Sequence, residues 1–327
     1  MTLVKPEAER LEPIPIEEID SEGDHTVPLA AVGVPLLPAE DRPVEQRRRV
    51  LGWSLVWVAA LIAGTAFVIY GFGPLFQARE QRRLINQYKQ DISRSANESS
   101  GLGGVSTPTK APNIGTPVAI LEIGAIKLQQ AVIEGGYAAQ TRRGPGHIAG
   151  TAGLGQPGNS VVVGRAHAFG GSFGAIGRLR PGDQILVTTT QGQSVYRVTN
   201  VRHSSLGSVD GTYGPSRDNR LTLVTSGSTL PWNSTDATVV VATIEGLPFP
   251  PTLQNGRGSS GLGVHGDTDA DASVVLAMFA FAVTISASIA LYRRVHPATA
   301  YLLSIGPLMA TAIIAGETLT RLLPGWT

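Results

Sequence analysis

The chain contains no cysteine. Disulfides, thiolate metal sites and thiol nucleophiles are therefore excluded at the outset. His147 and His167 have neither the close spacing nor the acidic neighbours of a zinc site, and His203 is equally isolated. No metal or other cofactor is expected. The Gly-rich run at 153–158 is followed by no helix and no Lys-Ser/Thr pair, so it is not a phosphate loop. Asp210 and Asp218 read as loop acids without partners. Asn97-Glu98-Ser99 and Asn233-Ser234-Thr235 match a glycosylation acceptor pattern that arises often by chance. A net charge of +1 offers no basic field, which argues against nucleic acid as a partner.

The surrounding elements are unevenly distributed. Charged residues make up 16% of the chain, against ~25% in ordinary soluble domains, a deficit that points to membrane segments. Residues 1–48 are rich in Pro and Glu without any sustained period, as expected of a disordered tail. Leu51 to Phe76 carries no charge and is long enough to cross the ~30 Å apolar core of a bilayer. Trp53 and Trp57 toward one end, with Tyr70 and Phe72 toward the other, suit its two interfaces. The run is too long and starts too late for a cleaved leader. Residues 77–113 read as a polar extension of that helix to Ser93, then a Ser/Gly/Thr/Pro linker from Ser95 to Pro112. A second linker covers 247–271. Two further apolar spans, 273–292 and 299–316, are joined by a short loop with Arg293, Arg294 and His296. Basic residues balance on the two sides of the first span, so the hairpin loop decides orientation. It belongs in the cytoplasm with the N-terminal tail. Residues 77–271 and the segment Leu322–Thr327 then lie outside. Glu317 falls near the end of the last span, within reach of the interface.

Between the spans, residues 114–246 consist of short Val/Ile/Thr-rich runs separated by Gly/Pro/Asn turns. Strands are expected at Pro117–Ile123, Ile126–Val132, Ser160–Val163, Gln184–Thr190, Gln193–Val201, Leu221–Thr225 and Ala237–Ile244. Gln191-Gly192-Gln193 and Arg180-Pro181-Gly182-Asp183 are turn signals. Val163, Leu186, Val198 and Leu223 are expected in the core. The fold class is mainly β: a barrel or strongly curled sheet, with one N-terminal transmembrane helix and a C-terminal transmembrane hairpin.

Several segments of this domain, in order, resemble the sortases, the membrane-anchored transpeptidases of bacterial surfaces. Gly144-Pro-Gly-His147-Ile-Ala-Gly-Thr151 resembles the stretch before the family's catalytic histidine. Gly155-Gln-Pro-Gly158-Asn159-Ser-Val-Val-Val-Gly164 resembles the strand that leads to it. Phe173, Leu179, the Arg180–Asp183 turn and Tyr196 follow as in many sortases. Leu221-Thr-Leu-Val-Thr225-Ser226 resembles the strand that ends in the catalytic cysteine. The resemblance implies a sortase-like β-barrel at 114–246 and a mechanism with three groups. A thiolate attacks a peptide carbonyl, a histidine moves protons, and an arginine supports the thiolate or oxyanion.

All three positions depart from that pattern. Ser226 stands at the nucleophile, and a hydroxyl needs an efficient base beside it. Its plainer reading is a serine ending a strand in a Thr-Ser-Gly-Ser turn. Arg165 stands at the histidine, with His167 two residues on; were the strand to stay extended, both would project to one side. Otherwise His167 is a loop histidine. No arginine occurs near Thr238, where the family's arginine is expected. The reading that follows is a sortase-like membrane protein of the bacterial envelope, catalytically inactive or impaired, whose barrel binds an extended peptide or an envelope partner. Two others stay open: a serine-dependent transpeptidase or hydrolase using Ser226 and His167, and a structural subunit of a membrane complex.

Overall fold

Three runs in the middle of the chain are apolar on both alternations: 161–163, 221–224 with Thr222 inside it, and 239–242. Strands covered on both faces have this character, whereas half-exposed strands alternate. The computed structural model describes residues 42–100, 110–205, 212–228, 236–253, 271–323 and 325–326. In it the three runs lie side by side. Most of the N-terminal tail, Asp210, Asn233-Ser234-Thr235 and the middle of both linkers lie outside the described residues. The chain divides into residues 1–50, described only from Arg42 as the start of a helix, and Leu51–Thr327.

Eight strands close into a barrel: β1 (Pro117–Ile123), β2 (Leu128–Glu134), β3 (Gly146–His147), β4 (Asn159–Val163), β5 (Gln184–Thr189), β6 (Gly192–Ser205), β7 (Arg220–Ser226) and β8 (Asp236–Glu245). Their order is β1-β2-β3-β4-β7-β8-β6-β5, with β5 pairing back onto β1. The β2–β3 and β4–β7 pairs are parallel and the others antiparallel. The turn after Leu179 forms as expected: Arg180 O accepts from Asp183 N–H, and Gly182 takes the φ of +99° that a Pro-Gly turn requires.

The barrel interior is built from Leu121, Val162, Tyr196, Leu223 and Val240, among others. Val163, Val198 and Leu223 are buried. Leu186 is not in the core. On β5 it is Ile185 and Val187 that point inward, and the period of two leaves Leu186 only half-buried. A second apolar cluster covers the outer face of β4, β7 and β8 and includes Ile148, Val163, Val224, Val239, Tyr213 and Trp326.

The first long helix runs as α1 (Arg42–Ala66), a π-helical turn (Phe67–Phe72) and α2 (Gly73–Ser100). It continues beyond Ser95, where the sequence suggests a linker. Its polar half docks on the barrel: Gln81 Nε2 donates to Ala131 O and Arg143 O, and Gln81 Oε1 accepts from Ala131 N–H. Tyr88 donates to Val118 O, and Glu80 pairs with Arg143 at 2.7 Å. A short helix, α3 (Ala138–Thr141), follows β2.

At the other end of the chain, α4 (Asp271–Arg294) and α5 (Pro297–Thr320) form the hairpin. Ala277, Phe281, Ala312 and Ala315 pack together with Leu61 of α1. Gly316 permits close approach, since a Cβ there would lie 3.2 Å from the Thr65 Cα. Elsewhere on these helices large apolar side chains such as Ile62, Leu276, Phe279 and Leu302 are exposed. All three helices are long and apolar enough to cross a membrane.

Candidate functional site

Parallel pairing of β4 with β7 brings both strands to an end at the same rim of the barrel. Val163 lies beside Val224, Gly164 N–H donates to Val224 O, and Thr225 Oγ1 donates to Gly164 O. Arg165 and Ser226 therefore leave adjacent strands side by side. Ser226 in turn pairs with Ala237 of β8.

The face on which each side chain sits follows from strand alternation. Val163, Val224, Ala237 and Val239 belong to the outer cluster, and Val162, Leu223 and Val240 to the barrel interior. Ser226, two residues after Val224, thus shares the outer face with Ala237. Thr238 faces the other way, opposite Thr225, with its Oγ1 3.1 Å from His203 Nδ1. The position facing Ser226 across the strands is Ala237, and this corrects the expectation that centred on Thr238.

Ser226 is buried, and its hydroxyl is engaged locally: Oγ accepts from Ser228 N–H at 3.1 Å and lies 3.4 Å from Ser228 O. The hydroxyl closes a turn at the strand end, as serines often do. Arg165 is 1% exposed. Its guanidinium lies 5.0 Å from the centre of the Phe169 ring, and Nη2 donates to Ala138 O. His167 is exposed, and β4 has already ended at Val163, so the extended backbone that would align residues 165 and 167 is not present. The structure joins Arg165 and Ser226 at one rim and turns His167 outward.

Phe169 ties this rim to the helices. It adopts a left-handed φ of +51°, unusual for a bulky residue, and packs with Val68 and Ile69 of the π-helical turn. Beside it a cavity is lined by Phe72, Phe76, Arg142 and Glu317. Glu317 pairs with Arg142 at 2.8 Å, so the carboxylate of the last apolar helix is held by the barrel.

Two features at or near the rim depart from what the sequence suggests: the place of Trp326, and an acidic partner for His147. Trp326, beyond the end of α5, is fully buried in the outer cluster. Its carbonyl oxygen accepts from both Ala166 N–H and Ser226 N–H, each at 3.2 Å. Two converging N–H groups on one carbonyl are the arrangement that receives a peptide carbonyl in acyl-transfer sites. The second feature is a buried pair, His147 Nδ1 to Glu134 Oε2 at 2.7 Å, set by the β2–β3 register that places these residues opposite each other. His147 Nε2 lies 2.9 Å from Ala152 O, so both ring nitrogens face acceptors. Burial by itself would lower the His147 pKa, but the Glu134 carboxylate and these hydrogen bonds raise it above 6.5.

Residues 121–245 match the family described as Sortase domain. The barrel is a sortase domain. Solved structures similar to the chain include the sortase D5 transpeptidase of Clostridium perfringens, 21% identical over 51% of this chain and 99% of that one, with a TM-score of 0.43. Sortase E from Streptomyces avermitilis is 26% identical over 41% of this chain and 91% of that one, at a TM-score of 0.36. Sortase E1 from Streptomyces coelicolor, solved with a tripeptide in the active site, is 24% identical over 44% and 94%, also at 0.36. Comparison with curated proteins finds no match. The cysteine-free sequence makes this a divergent sortase domain without the family's nucleophile.

Proposed function

We propose that the chain is a membrane-anchored protein of the bacterial envelope whose sortase domain binds an extended peptide without performing sortase chemistry. The observation that carries this reading is the joint change at one rim. A turn-engaged Ser226, a stacked Arg165 and a small Ala237 stand where a thiol, an imidazole and a guanidinium are required, while two backbone N–H groups still converge on a carbonyl. A groove that keeps its main-chain donors retains the sequence-independent part of peptide recognition. What it lacks is a means to attack.

A serine-directed fluorophosphonate tests the chemistry. It labels serines activated by a base, so Ser226 of the full chain should remain unlabelled and Ser226→Ala should behave identically. A covalent adduct on Ser226 that disappears in Ser226→Ala would replace this reading with a serine-dependent acyl transferase. The anchoring is tested by topology. A reporter active only in the cytoplasm should work when fused after Arg294, in the basic loop between two apolar helices, and fail when fused at Gly246. Activity at Gly246 would put the barrel in the cytoplasm and end the envelope reading.

A further inference from the structure

The outer face of β4, β7 and β8 carries apolar side chains that need a cover, and Trp326 is part of what covers them. We propose that this face is a seat for an aromatic residue of an extended peptide, and that Trp326 fills the seat in cis as a built-in competitor. The proposal rests on the peptide-binding reading and names the chemistry of the ligand.

Two kinds of contact hold Trp326. The main-chain contact is the Trp326 carbonyl between the N–H groups of Ala166 and Ser226. Any peptide could make it, because it uses no side chain. The side-chain contact is specific: a fully buried indole in a cluster with Val163, Val224 and Val239. A large flat anchor in an apolar pocket is the usual carrier of peptide affinity. Together they describe a ligand with an aromatic side chain and a free main-chain carbonyl on the same residue.

The segment has the features of an occupant that can leave. It follows α5 directly: Arg321, Leu322 and Leu323 N–H groups close a turn onto the end of the helix, and Leu323 packs at the edge of the Val68, Ile69 and Phe169 cluster. The indole Nε1 is buried with no hydrogen-bond partner among the described residues. Buried tryptophans usually satisfy that group, so the seat fits the carbonyl and the ring but leaves one donor unpaired. A trans ligand that offers an acceptor at this point gains what the cis segment forgoes. The short tether compensates for the imperfect fit, since a short linker gives roughly millimolar effective concentration. A free peptide therefore competes only when it binds better or when α5 shifts.

The cysteine-free chain permits a direct test. In full-length Ser226→Cys protein the only thiol lies under the segment, and its maleimide labelling rate follows the open fraction of the seat. Labelling is expected to be slow, to accelerate about tenfold or more in Trp326→Ala, and to stay slow in Trp326→Phe. The synthetic peptide Leu-Leu-Pro-Gly-Trp-Thr, with the sequence of residues 322–327, should restore protection to Trp326→Ala, and the same peptide with Ala for Trp should not. Thr222→Cys, made separately and fully buried in the middle of β7, reports on the barrel itself and should stay protected throughout. Equal labelling of the Ser226→Cys thiol with and without Trp326 overturns the proposal. Simultaneous opening of both thiol sites overturns it too, because Trp326 is then a core residue of the fold. Failure of the tryptophan peptide to protect also overturns it. None of these readouts involves the reactivity of Ser226 itself, so failure of the non-catalytic reading would be seen separately, in the fluorophosphonate experiment.

Discussion

Full-length Ser226→Cys protein is expected to cleave sorting-signal peptides at no more than background rate, and each further repair should add a separable increment. The thiol restores only a nucleophile. Arg165, buried and stacked on Phe169, supplies no proton acceptor, so Arg165→His is the second step. The third is an arginine on the face of Ser226, and strand register puts it at Ala237, directly opposite Ser226 on β8. Losing a single oxyanion donor costs roughly 10²–10³ in rate. The triple variant with Ala237→Arg should therefore exceed the double variant by an increment of about that order. Thr238→Arg should add nothing: Thr238 is buried on the opposite face, and a guanidinium there meets His203 and the barrel interior instead. Trp326→Ala should raise the rate of the triple variant further, because without the buried indole nothing anchors the main-chain carbonyl that occupies the two N–H groups. The measurement is product release by mass spectrometry across the series. Equal rates for the Ala237→Arg and Thr238→Arg triples would show that the register does not govern the site.

Much of this arrangement was legible in the residues. The cysteine count removed thiol chemistry before any fold was known. The doubly apolar runs at 161–163, 221–224 and 239–242 marked strands buried on both faces, and these are β4, β7 and β8. What covers their outer face was not legible. Trp326 lies far from β7 in sequence, with α4 and α5 between them, and nothing local to a Trp near the end of a helix says which surface it will meet. Leu186 shows a smaller version of the same limit. In Gln-Ile-Leu-Val-Thr-Thr three apolar residues run consecutively, so the inward set is fixed by pairing with Tyr196 and Val195 and not by the pattern. The two-residue strand β3 had no period to read. His167 failed to join Arg165 because β4 ends at Val163, and strand ends are set by which partner residues remain to pair with. The choice of Thr238 over Ala237 came from the same source: one residue of register exchanges the two faces of a strand.

The Glu134–His147 pair carries the largest expected effect on stability. Both side chains are buried, and they face each other across a parallel strand pair in the wall of the barrel. Nδ1 faces the Glu134 carboxylate and Nε2 faces Ala152 O, an arrangement that favours the doubly protonated imidazolium. Removing one partner leaves the other as an uncompensated buried group, a change that typically costs about 3–5 kcal/mol. Glu134→Ala and His147→Ala should each lose stability of about that size. Glu134→Ala with His147→Ala should lose less than the sum, because the double variant leaves no uncompensated buried partner. The pH dependence has a definite sign. The folded state holds the His147 proton to a higher pH than the unfolded chain, whose histidine titrates near 6.5. The native state thus binds more protons than the unfolded state above 6.5, and stability falls as pH rises through the folded pKa. The contribution is complete below 6.5 and disappears on the alkaline side. Urea unfolding of the detergent-solubilised chain, repeated from acid to alkaline pH, should show this decline. In Glu134→Gln the decline should vanish, because burial then dominates and His147 is neutral in the folded state at every pH above its lowered pKa. A slope that persists unchanged in Glu134→Gln would mean that some other group carries it and that the buried imidazolium is not the proton held.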